Sequence, residues 1–224
     1  MISTILAFKT VLLLVTTASL YVTITPPKVD TSSARSFNSE DKVERVILAV
    51  AESVRILLWA AGAAEVYMSW SSPTNVVVST WSVIGAVLTL SGAVLRVRCY
   101  KLLGDRFTFE LATHSRGQDT VPLPLVTSGP YAIVRHPAYV GLSAAIYGVG
   151  IHFMSPGFAL TSPSIAPPQL ATMVQTIIVS VAMSYTAAVP VRIRKEEKML
   201  QSEFGEAYDR YKREVRWAVV PGVY

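Results

Sequence analysis

Cysteine is almost absent from this chain: Cys99 stands alone among 224 residues. A single thiol excludes an internal disulfide and leaves the redox compartment open. Histidine is nearly as scarce, and His114, His136 and His152 keep no ligand spacing with Cys99, so no metal centre is expected. Charged residues make up only 16% of the chain, against about a quarter in ordinary soluble domains. The sequence has no glycine-rich phosphate cradle, no dinucleotide fingerprint and no nucleophile–base signature, which argues against a kinase, a reductase and a hydrolase. No internal repeat of about 20–50 residues is visible.

What fills the chain instead is apolar surface. Hydrophobic residues reach 51% and the mean hydropathy is +0.43, which places the protein in the membrane class. A span needs roughly 20 apolar residues. The runs 5–24, 46–68, 76–95, 139–153 and 170–189 qualify or nearly so, which predicts an all-α integral membrane protein of about five transmembrane helices. The length suits one domain, 1–224. The run 5–24 lacks a basic leading region and carries Lys9 late, favouring a retained span over a cleaved signal peptide.

Charge orients these spans. Threading five of them puts 25–45, 96–136 and 192–224 on one side, with 4, 6 and 8 Lys or Arg, 18 of the 20 in the chain. The opposite segments 1–4, 69–75 and 154–169 carry no charge. The positive-inside rule makes the basic side cytosolic, so the cytosolic segments that would form the catalytic region are 96–138 and 190–224. A pI near 9.4 on such flanks fits a membrane surface better than nucleic acid.

Local signals add detail. Glu52 and Arg55 lie three apart and are expected to pair. Glu65 is expected to reach the headgroups, and 154–169 to be a plain connector. Gly104 should break the helix after the third span, and the last span should leave the membrane at Pro190. Leu200, Phe204, Tyr208 and Tyr211 form a stripe at helical spacing, read as packing onto neighbouring segments, with Gly205 interrupting it.

The densest stretch is 127–141, TSGPYAIVRHPAYVG. Gly129-Pro130 is a turn dipeptide, Pro137 suits the first turn of a helix, and His136 is pushed towards extended backbone by the proline after it. Spans 139–153 and 170–189 form an up-and-back hairpin, so Arg135 and His136 meet Arg192 and Glu196 at one mouth. Arg192 and Glu196, four apart, share a helical face, whereas Glu197 is expected to be solvated. Arg135, beside Arg192, is grouped with it as catalytic, against the alternative of an interfacial anchor. Tyr131 and Tyr139 have an aromatic-belt alternative.

Two blocks, GPYAIVRHPAYVG at 129–141 and RIRKEEKMLQSEFGEAYDRYKREV at 192–215, resemble in this order the isoprenylcysteine carboxyl methyltransferase family. That resemblance implies an integral membrane transferase of the endoplasmic reticulum, multi-pass, with its active site facing the cytosol. It implies S-adenosylmethionine as cofactor and, as partner, the prenylated C-terminal cysteine of proteins after CaaX processing. By position, Leu125, Val126, Tyr131, His136, Pro137, Tyr139 and Glu196 would bind the cofactor, with Gln118 a further candidate from the loop. Arg192 would bind the acceptor carboxylate. Methyl transfer to a carboxylate needs no general base, so alignment and exclusion of water are the protein's task. Two alternatives stay open: a phospholipid or small-molecule methyltransferase on the same scaffold, and a non-catalytic membrane scaffold whose basic face binds anionic lipid.

Overall fold

A computed structural model describes residues 2–25, 41–71, 77–104, 125–162 and 165–222, and every regular element among them is helical. The long helices are α1 (Ile2–Ile24), α2 (Asp41–Ser71), α3 (Thr80–Leu103), α4 (Pro137–Phe153) and α5 (Pro168–Phe204), followed by the short α6 (Glu206–Glu214). Short 3-10 turns stand at Gly129–Ala132 and Ala159–Thr161. Helices α1, α3 and α5 are long and apolar enough to cross a membrane. Their outward faces agree: Phe8, Val11 and Leu14 on α1, Ile84 and Val87 on α3, and Met173 and Met183 on α5 are all exposed. Such a surface suits hydrocarbon, where helices satisfy their own backbone.

The predicted punctuation sets the element ends. Helix α4 begins at Pro137, whose missing N–H costs nothing in a first turn. Gly104 and Gly205, at φ 53° and 50°, end α3 and α5. The expected exit at Pro190 is not a helix end. Helix α5 runs unbroken through Pro190 to Phe204, so its apolar stretch and the segment bearing Arg192 and Glu196 are one rod.

Small residues let α3 and α4 meet backbone to backbone. A Cβ on Gly92 would lie 2.4 Å from the Gly141 carbonyl oxygen, and one on Gly148 would lie 2.6 Å from the Thr89 nitrogen. In lipid, where apolar surface gives no drive to associate, close packing of this kind holds helices together. Helix α1 lies against the pair, and Leu13 and Leu20 join Ala145, Val149, Phe153, Phe158 and Leu160 in the core. Thr16, Thr17 and Thr23 stay buried by donating to the carbonyls of Leu12, Leu13 and Ser19, four residues back.

Two further expectations are corrected. Residues 154–162 are no plain connector, since Ser155, Phe158, Ala159, Leu160 and Thr161 are buried. Nor does Glu65 reach the headgroups: it is 1% exposed. Its carboxylate pairs with Lys9 Nζ at 2.5 Å and accepts from the backbone N–H groups of Ala159 and Leu160 at 3.0 and 3.1 Å. Lys9 also donates to the Gly157 carbonyl and Ser69 Oγ, at 2.7 and 2.9 Å. A turn opening inside the bundle leaves N–H groups without partners, and a buried acid is what satisfies them. Glu52 and Arg55 do pair, as their spacing predicts.

Candidate functional site

The site is built where α4 begins and where α5 continues past Pro190, outside the apolar stretches of both helices. Gly129 adopts φ 62°, which allows Pro130 to open the 3-10 turn and buries Tyr131. The carbonyl of Tyr131 accepts from the Tyr211 hydroxyl of α6 at 2.7 Å. His136 stands at φ −125°, ψ 60°, outside the helical region, and is 3% exposed. The fully buried Pro137 then starts α4 and carries Tyr139 on its first turn.

Two acids reach this turn from α5. Glu196 Oε1 lies 3.6 Å from His136 Nδ1, and Glu197 Oε1 lies 3.5 Å from His136 Nε2. Both distances exceed those of well-made hydrogen bonds, and His136 Nε2 has no hydrogen-bond partner among the described residues. Arg192 donates from Nε to the Tyr139 hydroxyl at 3.0 Å, one turn before Glu196. Helix α5 therefore presents Arg192 and Glu196 to Tyr139 and His136 together.

Arg135 has a different set of neighbours. Its guanidinium pairs with Glu197 at 2.7 Å and donates to the carbonyls of Val215 and Arg216 at 3.0 and 2.5 Å. Its backbone N–H and that of His136 donate to the carbonyls of Trp217 and Ala218 at 2.9 and 2.8 Å. These contacts strap the C-terminal segment across the turn, so Arg135 makes the contacts of a residue that holds the site in shape. Glu197, expected in solvent, is only 18% exposed in its side chain and also faces Lys212 at 3.7 Å. The helix turns it by about 100° from Glu196, enough to reach Arg135.

The charges set each other. Burial pushes the His136 imidazole down, but the adjoining Glu196 and Glu197 carboxylates outweigh it, so its pKa stands above the ordinary 6.5. Burial would raise Glu196, yet His136, Tyr139 and Arg192 bring it below the ordinary 4.5. His136 above all, with Arg135 and Lys212 added, outweighs burial and takes Glu197 from 4.5 to about 2. The turn thus holds two carboxylates around one imidazole whose proton they hold more tightly than water would.

Leu125 packs against Tyr208, Tyr211 and Val215, together with Leu200 and Phe204 of the predicted stripe. Val126 follows it, half-buried, and Gln118 lies outside the described residues. Arg96 escaped the sequence reading. Buried on α3, it donates to the carbonyls of Thr23 at 2.7 Å and Ala138 at 3.0 Å, tying α1 to the first turn of α4 beside Tyr139. Its signal was an arginine inside the last turns of an apolar helix, where interfacial residence is the ordinary reading. An apolar cavity of about 640 Å³ lies away from this cluster, between α4 and α5, lined by Ile146, Tyr147, Ile178 and Met183 and reaching Trp81 and Met154. No charged group lines it, so it suits hydrocarbon rather than a charged ligand.

The arrangement can grip an amphiphilic cofactor. Tyr131, His136 and Tyr139 offer aromatic faces, Glu196 an acid for a cationic amine or hydroxyls, and the buried His136 Nε2 an unsatisfied polar atom. Arg192 offers a planar fork that fits a carboxylate.

Comparison with known proteins bears on this chemistry. A family model described as phospholipid methyltransferase matches residues 80–207. The chain is 27% identical over 161 residues to the protein-S-isoprenylcysteine O-methyltransferase of Dictyostelium discoideum, covering 71% of this chain and 57% of that protein. It is 30% identical over 137 residues to the enzyme so named from Xenopus laevis, covering 61% and 40%. It is also 30% identical over 134 residues to a probable protein-S-isoprenylcysteine O-methyltransferase of Oryza sativa subsp. indica, covering 60% and 58%. The chain thus spans 40–58% of the length of these relatives. No solved structure matches it.

Proposed function

The chain belongs to the phospholipid methyltransferase family, and from that premise we propose that it esterifies the C-terminal carboxylate of prenylated cysteines, with S-adenosylmethionine as methyl donor. The observation that carries this reading is the meeting of Arg192 and Glu196 on α5 with Tyr139 and His136 on α4. S-adenosylmethionine, when bound, would supply a methyl already activated on a sulfonium, so that transfer to an ionised carboxylate oxygen would require no proton to move. Glu196, His136, Tyr131 and Tyr139 hold the donor, and Pro137, Leu125 and Val126 shape the wall beside it. Arg192 holds the acceptor carboxylate bidentately and turns one oxygen towards the methyl group. Arg135 acts at one remove, fixing Glu197 and the C-terminal segment.

In this reading the site faces the cytosol from the endoplasmic reticulum membrane, and five helices cross that membrane. The segregation of 18 of 20 basic residues supports this orientation, and α2 and α4 complete the span count. Gln118 is a further cofactor contact in the same proposal.

A second reading follows from the description of the matched family: methylation of a phospholipid amine. An amine acceptor must lose a proton, and its nitrogen gains little from an arginine fork, so Arg192 weighs mildly towards the carboxylate and a variant there tests the choice. Arg192→Lys keeps charge but not planar geometry. It is expected to lower methyl transfer to a farnesylated cysteine analogue by about 10- to 100-fold, the loss of a charge-assisted bond of roughly 1.5–3 kcal/mol, with cofactor affinity little changed. An amidated acceptor should compete poorly in the unaltered protein. Near-normal turnover in the variant, equal competition by the amide, and transfer to phosphatidylethanolamine would move the second reading ahead.

A further inference from the structure

The C-terminal strap has an outer side that the site does not use. Val215 and Ala218 face inward and are buried, while Arg216, Trp217 and Val220 face outward. Trp217 is 39% exposed and Val220 48%. The backbone bonds from Arg135 and His136 to Trp217 and Ala218 lay this segment beside the turn that carries Ile133, itself 65% exposed. The same turn touches the end of α3, since a Cβ on Gly129 would lie 3.1 Å from Leu102 Cδ1, and Leu102 is 40% exposed. Four large apolar side chains thus stand in water-accessible positions around one turn.

Their surroundings are basic. Arg98, Lys101, Arg213 and Arg216 are exposed on the adjoining ends of α3, α6 and the strap, against the exposed Glu214 on α6. The five-helix reading proposed above sets the level in the membrane as well: His136 immediately precedes the first residue of α4, so in that reading the strap bonded to it lies where that helix enters the apolar layer. Tryptophan with isoleucine or valine, ringed by arginine at this level, fits an interface with acidic headgroups above and acyl chains below.

We propose that Leu102, Ile133, Trp217 and Val220, with Arg213 and Arg216, dock the C-terminal strap onto the anionic surface of the bilayer that holds the protein. Docking presses Trp217 and Ala218 against Arg135 and His136, so anionic lipid tightens the cofactor site through two backbone hydrogen bonds. The lipid contact stands without the methyltransferase reading; only its effect on cofactor binding rests on that reading.

The full chain, with Trp59, Trp70 and Trp81 changed to Phe, is reconstituted in nanodiscs of phosphatidylcholine with or without phosphatidylserine. Lipids brominated near the headgroup should quench Trp217, and more strongly in the anionic discs. S-adenosylhomocysteine should bind at least about threefold tighter in anionic discs, a modest share of what two arginines gain near such a surface. Arg213→Gln with Arg216→Gln should remove that difference. Absence of quenching by lipid, whether Trp217 is open to aqueous acrylamide or shielded from both by a protein partner, overturns the docking surface. Quenching that persists without any change in ligand binding overturns the coupling to the site and leaves the lipid contact. No binding of S-adenosylhomocysteine in either disc would count against the methyltransferase reading instead.

Discussion

Two buried charge clusters sit at opposite ends of the helical bundle, and they differ in how completely they are satisfied. At one end Lys9 and Glu65 pair at 2.5 Å, and the Glu65 carboxylate also accepts from Ala159, Leu160 and Ser69 within 3.3 Å. At the other, His136 sits between Glu196 and Glu197 at 3.5–3.6 Å, with Nε2 and the nearby Tyr208 hydroxyl lacking hydrogen-bond partners among the described residues. Buried polar groups in apolar surroundings are normally satisfied, so the complete cluster reads as scaffold and the incomplete one as a place prepared for something else. Both join a loop to distant helices. Only the second leaves polar atoms for a ligand.

The largest effect should come from breaking the satisfied end. Glu65→Gln leaves Lys9 buried without its counter-charge and is expected to cost about 3–5 kcal/mol, read as a large fall in detergent-solubilised thermal stability. Lys9→Met combined with Glu65→Gln should recover much of that loss, because no lone charge then remains. If the single change is silent, the Lys9–Glu65 pair is not what holds 157–160 in place.

At the unsatisfied end, removing Glu196, the acid proposed to hold the cofactor, should leave the fold nearly intact and weaken cofactor binding. Glu196→Ala is expected to reduce S-adenosylmethionine affinity by about 1–3 kcal/mol, the cost of an unpaired buried polar partner, with only a small change in melting temperature. Calorimetry beside a melting curve separates the two. A collapse in stability with unchanged affinity per folded molecule would make this end a scaffold as well.

The smallest effect is the pH dependence of stability. His136 has a raised pKa in the fold, so its contribution is complete below about 6.5 and is lost as pH rises through the higher folded value. Glu197, lowered from 4.5 to about 2, contributes above the first value and loses that contribution as pH falls towards the second. Melting temperature should therefore be highest between about pH 4.5 and 6.5 and decline above it. In His136→Ala the alkaline part of that decline should vanish, and if it persists, another group is responsible.

Taken alone, the amino-acid sequence determined what local backbone rules and solvent preference can encode. The apolar runs prescribe membrane helices, Pro137 opens α4, Gly104 and Gly205 end α3 and α5, and four-residue spacing puts Arg192 and Glu196 on one face. Each of these depends on a few neighbouring residues and a period of 3.6. The approach of His136 to Glu196 was legible as well, from the up-and-back arrangement of two consecutive apolar runs, whereas Arg135, expected at Arg192 and Glu196, turns instead to Glu197 and the C-terminal segment. Tertiary structure alone decided that Glu197 serves Arg135 and His136, that Glu65 and Lys9 clasp 157–160, and that Arg96 ties Thr23 to Ala138. These contacts join residues 42 to 148 positions apart. Which charge faces which depends on how α1, α3 and α4 pack, and that packing follows from the close fit of small residues at Gly92, Gly141 and Gly148. A charge in an apolar run looks the same in sequence whether it will reach water or a buried partner. Only the packed neighbours distinguish the two, because the energy of a buried charge is set by what surrounds it.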